Sequence, residues 1–97
     1  MQNNINLSVD QLKQTIEKMI KIVKADTGAS ELYRDMLLSM IPNSNHKVNM
    51  SYWCYKADRD DFETMLKLQI LSNTDIIFEY ENLLQPYKEE LMKYSNS

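Results

Sequence analysis

Ninety-seven residues make one domain, and 43% apolar with 26% charged residues is the balance of a folded chain, not of a disordered one. One glycine and two prolines are too few turn residues for a strand-rich fold, which leaves helices joined by short loops. The net charge of −3 is split unevenly, near +1 over residues 1–49 (six Lys/Arg, five Asp/Glu) and −4 over residues 50–97 (five and nine), and argues against a protein that holds DNA mainly through its phosphates.

Residues 1–6 are polar and read as a flexible N-terminus. They lack the basic stretch followed by an apolar run that marks a signal peptide. Ser8 reads as an N-cap, with Gln11 three residues on in the manner of a capping box and Asp10 at the positive end of the helix dipole. Val9, Leu12, Ile16, Met19, Ile20 and Val23 then form one apolar stripe roughly 100° wide. Gly28 is placed to stop this helix near residue 26. A second helix is expected from Ala29 or Ser30 to Ile41, with Leu32, Tyr33, Met36, Leu37, Met40 and Ile41 on one broad face, ended by Pro42. Pro42 to Lys47 is the clearest loop.

Residues 48–57 read as a short helix capped by Ser51, with a lone strand as the alternative that their β-prone side chains allow. Asp58 is a good N-cap for a fourth helix, and Phe62, Met65, Leu66, Leu68, Ile70 and Leu71 lie around most of its circumference, which predicts a central, buried position. Ser72, Asn73 and Thr74 break it. Ile76, Ile77, Tyr80, Leu83 and Leu84 form a further amphipathic stripe, and Pro86 suits the first turn of a separate last helix carrying Tyr87, Leu91 and Tyr94. Residues 95–97 read as a flexible C-terminus. The expected fold is all-α: a small compact bundle of four to six helices with short loops, a single domain over residues 7–94.

Few residues carry the makings of chemistry. Asp58, Asp60, Asp61 and Glu63 form the sharpest acidic cluster, but they point in different directions around a helix and lack the central glycine of an EF-hand, so capping and dipole stabilisation is the plainer reading. His46 sits in a polar loop without a Cys or second His at zinc-ligand spacing. Cys54 is the single cysteine; it forms no intramolecular disulfide, points to a reducing compartment, the cytoplasm, and as a nucleophile needs an activating base or a cationic setting, for which Lys56, close in sequence, and His46 are the candidates, while packing as a small hydrophobe is the plainer reading. There is no glycine-rich phosphate loop and no hydrolase or metalloprotease motif. No stretch approaches the ~18 apolar residues of a membrane span. The expectation is therefore no enzyme, no metal, no cofactor and no membrane.

Aromatic residues are the richer signal. Tyr52, Trp53, Tyr55, Tyr80, Tyr87 and Tyr94 are candidate interface residues, because Tyr and Trp dominate the energetics of protein contacts. Packing at the core edge is the plainer alternative. The basic residues Lys13, Lys21, Lys24 and Arg34 are candidate nucleic-acid contacts.

Thr27-Gly28-Ala29-Ser30, Leu37-Leu38-Ser39, the polar loop, and Asp58-Arg59-Asp60-Asp61-Phe62-Glu63 with Leu66 and Leu71 resemble a group of small uncharacterised bacterial proteins often carried on mobile DNA. The resemblance covers roughly residues 27–80, and Asn43-Ser44-Asn45 and Val48-Asn49 stand where that family usually has a loop glycine and a Phe-Asp pair. It implies no activity and transfers no functional residue.

The function expected from these observations is that of a non-enzymatic interaction protein, binding a protein partner or itself as a homodimer. The alternative is a nucleic-acid-linked regulator. It would act either through the basic residues of the first two helices or as an acidic inhibitor of a DNA-binding protein, through Asp58 to Glu63 and Glu79 to Glu81.

Overall fold

A computed structural model describes residues 6–25, 27–42 and 44–94; apart from Asn6, the termini expected to be flexible lie outside the described residues, as does the side chain of Tyr94. Five helices follow in order: α1 (Val9–Lys24), α2 (Ser30–Ser39), α3 (Met50–Lys56), α4 (Arg59–Ile70) and α5 (Ile76–Tyr94), with no strand among the described residues. This is the all-α bundle that the composition predicts.

The first helix starts as its sequence dictates. Ser8 is extended and its hydroxyl accepts from the Gln11 amide at 3.0 Å, satisfying one of the four donors that a helix N-terminus leaves open. Leu12, Ile16, Met19, Ile20 and Val23 are buried along one face, whereas Val9 remains exposed. The helix ends in ordinary right-handed geometry at Ala25, without help from Gly28, where an added Cβ would meet nothing within 4 Å. Ser30 fixes the turn instead. Its hydroxyl accepts from the Thr27 amide at 2.7 Å and donates to the Ile22 carbonyl at 2.8 Å, tying the start of α2 to the end of α1.

The centre of the domain differs from the expected one. α1 packs against α2, α4 and α5, and α2 packs also against α3 and α5. Seven of the ten residues of α2 are buried, from Ser30 to Leu38. α4 buries only Asp61, Thr64, Met65 and Leu68, and its Leu66 and Ile70 face outward. Apolar residues all round a helix do mark burial when every side meets a neighbour. On α4 they do not, because only α1 makes an extensive contact with it.

Two further expectations are corrected. The cap of α3 is Asn49, not Ser51: its Oδ1 accepts from the Tyr52 amide at 3.1 Å, so the helix begins at Met50. Trp53 anchors this seven-residue helix in the core, edge-on to Tyr33 with ring centroids 5.1 Å apart. Pro86 does not open a new helix, because α5 runs through it for 19 residues. The lost amide leaves the Asn82 carbonyl without its helical donor; both residues are exposed.

Candidate functional site

Three places on the molecule bring functional groups together. The first is a polar cluster where α1, α2 and α4 meet. Asp61, in the first turn of α4, is buried. Its Oδ2 accepts from the Tyr33 hydroxyl at 3.0 Å and its Oδ1 lies 3.4 Å from Lys18 Nζ. Lys18 also reaches Asp58 Oδ2 at 3.2 Å, and the Asp58 amide donates to the Tyr33 hydroxyl at 3.1 Å. Asp58 occupies the cap position of α4 but makes no side-chain cap bond.

Burial pushes the Asp61 carboxyl above its ordinary range, against the lowering effect of Tyr33 and Lys18. Burial likewise raises the Tyr33 phenol to about 12. Partial desolvation works to lower Lys18, but its contacts with Asp58 and Asp61 prevail and raise it. A cleft of about 400 Å³ opens beside the cluster, lined by Gln11, Gln14, Thr15, Lys18, Asp60, Asp61, Glu63 and Thr64. Among the described residues no buried side-chain nitrogen or oxygen lacks a hydrogen-bond partner, and no three His, Cys, Asp or Glu converge in a metal-ligand geometry. The cluster therefore cross-links three helices through groups already satisfied by one another.

The second place is a pair of hollows at the junction of α2, the following loop, α4 and α5. One, of about 500 Å³, is lined by Ser39, Met40, Ile41, Pro42, Gln69, Ser72, Ile77 and Phe78. The other, of about 390 Å³, is lined by Leu38, Ile41, Pro42, Ser44, Asn45, His46, Lys88 and Met92. Ile41 and Pro42 line both. The rim carries large apolar side chains in water: Phe78 is 61% exposed at one end and Met92 46% at the other. The loop over the second hollow is held by His46, whose Nε2 lies 3.0 Å from Asp35 Oδ1, and by the Ser44 hydroxyl, which accepts from the His46 amide at 3.0 Å. Asp35 Oδ1 also takes the Arg34 guanidinium at 2.8 Å.

The third is the outer face of α3, where Tyr55 is 81% exposed and Met50, Tyr52 and Cys54 are exposed beside it.

Set against this geometry, the aromatic residues singled out by sequence divide sharply. Trp53 and Tyr80 belong to the core and cannot touch a partner. The Tyr80 hydroxyl donates to the Leu37 carbonyl, one of the open acceptors at the end of α2. Tyr87 is half-buried, lining a small hollow of about 170 Å³ with Pro86 and Ile16. Tyr52 and Tyr55 remain at the surface. The basic set divides as well. Arg34 is buried and engaged with Asp35 and Glu31, and Lys24 pairs with Glu90 at 3.0 Å; Lys13 and Lys21 are exposed. His46 is bound to Asp35, and Cys54 does not line the hollow that contains it.

Sequence reasoning missed Ile41, Pro42, Phe78, Lys88 and Met92 as the lining of two adjoining hollows. One signal was present: Phe78 falls off the apolar stripe of α5, on the face otherwise given to polar residues. No family model, curated protein or solved structure matches this chain. Among the described residues no helix is long and apolar enough to cross a membrane.

Proposed function

We propose that this chain is a non-enzymatic interaction protein that docks another polypeptide on the paired hollows beside Ile41 and Pro42. The observation that carries the reading is the rim. A phenylalanine more than half exposed stands next to an apolar depression it does not fill. Exposed apolar groups clustered around a concave surface are what protein contacts bury. The polar cleft at Asp61 supports no comparable reading, since its buried groups are consumed in holding helices together. Cys54, exposed and unpaired, fits a reducing compartment such as the cytoplasm.

Site-specific photocrosslinking in the native cells tests this. A benzoyl-phenylalanine in place of Phe78 or Met92 is expected to yield a discrete adduct with another polypeptide, or a doubled mass if the chain pairs with itself. The same probe at exposed Gln14, in the polar cleft, should yield none. Absence of adducts from both rim positions, or equal labelling from Gln14, refutes the reading.

A further inference from the structure

Charge distinguishes the two hollows. The first has no ionisable side chain in its lining, whereas the second holds Lys88 and His46 and no carboxylate. His46 is already answered by Asp35. Lys88 is not: it is half-buried against Met92 and Leu38, and among the described residues no Asp or Glu lies within ion-pairing distance of its ammonium. Residues 38–46, which supply most of that lining, include no acidic side chain, in a protein whose net charge is −3.

We infer that the occupant of the paired hollows is a segment of another protein that carries bulky apolar side chains for the two depressions and an Asp or Glu for Lys88. This rests on the docking role proposed above and specifies its partner. Because the two hollows share Ile41 and Pro42 in their linings, one segment can reach both with a large side chain for each. An occupant that fills the hollow excludes water from around Lys88, so a carboxylate it brings there gains more than it would on open surface. Like-charged partners are rejected by the same group, which makes Lys88 the residue that selects among apolar segments.

A displayed library of random 16-residue peptides, panned against the full chain, tests the partner's chemistry. Peptides are expected that carry two large apolar positions and at least one Asp or Glu. Their affinity should fall about tenfold or more with Lys88→Glu and be restored in part when the peptide acid is changed to Lys. Phe78→Asp should abolish binding of the same peptides. Circular dichroism confirms that both variants, at exposed or half-exposed positions, keep the helical fold. Binders sensitive to Phe78→Asp but without acidic enrichment, or indifferent to Lys88→Glu, overturn this inference and leave the docking surface standing. Sedimentation of the chain as a dimer through Phe78 overturns it too, since the occupant is then a second copy. No binder sensitive to Phe78→Asp overturns the inference and removes support for the docking surface.

Discussion

Asp61 is the residue whose ionisation the fold opposes. Burial raises its pKa, so the folded chain binds that proton more tightly than the unfolded chain does. The sign follows: ionised Asp61 costs stability at neutral pH, and the cost is relieved as pH falls through the raised pKa toward the ordinary carboxylate value. Asp61→Asn removes this contribution. The urea midpoint of wild type relative to the variant is therefore expected to move in favour of the wild type as pH is lowered from neutral toward the ordinary carboxylate value, other carboxylates cancelling in the comparison. Tyr80 acts differently. Its hydroxyl is fully buried, burial pushes its pKa far upward, and it serves one carbonyl at the end of α2. Tyr80→Phe leaves that carbonyl without its donor and should cost about 1–2 kcal/mol in equilibrium unfolding. Tyr87→Phe, at a half-buried phenol, should stay within about 0.5 kcal/mol.

At the scale of elements, α3 and α5 show how local signals are resolved. α3 is too short to hold itself together without tertiary support, so its cap and its anchor carry it. Asn49→Ala is expected to cost about 1 kcal/mol and to raise amide exchange across residues 52–56, while Ser51→Ala should leave exchange unchanged. In α5 the proline sits ten residues into a 19-residue helix. Packing tolerates it: Ile77, Tyr80 and Leu84 are buried before it and Leu91 after it, all on the face turned to the core. The helix is continuous because burial on both sides of Pro86 outweighs the missing bond, which costs ~3 kcal/mol in an isolated helix. Pro86→Ala should stabilise the domain by about 1 kcal/mol, raising the thermal midpoint by about 4–8 °C.

For the molecule as a whole, the decisive fact is which helix every other part leans on. α1 touches three of the other four helices and α4 makes an extensive contact with α1 alone. Met19, fully buried at mid-α1, should cost about 2–5 kcal/mol when changed to Ala. That is a large share of the ~5–15 kcal/mol that holds a small domain. Leu66→Ala on α4 should change stability by no more than about 0.5 kcal/mol, though the residue is as apolar; paired chemical denaturation curves decide between them. The radius of gyration, 12.9 Å, is that of a compact chain of this length. One core of this size leaves little interior to spare, so the apolar surplus of α3, α4 and α5 is displayed outside, at Tyr55, Ile70 and Phe78. Of these, Phe78 lines one of the hollows proposed above as a docking surface.

By itself the sequence determined the helical class, the start of α1 at Ser8, most of the buried positions of α1 and α2 and, to within two residues, the end of α2, expected at Ile41 and found at Ser39. These follow from interactions within a few residues: caps, a proline's steric demand and the 3.6-residue repeat. It also showed that Tyr and Trp were numerous, but not which of them would be buried, and so Trp53 and Tyr80 stood beside Tyr55 as equals. Only the tertiary structure decided that α1 and α2 form the centre, that Arg34 turns inward to Asp35, and that Ile41 and Pro42 line two hollows together with the distant Phe78 and Lys88. Those outcomes depend on how helices pack against one another, and a periodic pattern specifies which face of a helix is apolar without specifying which neighbour, if any, will cover it.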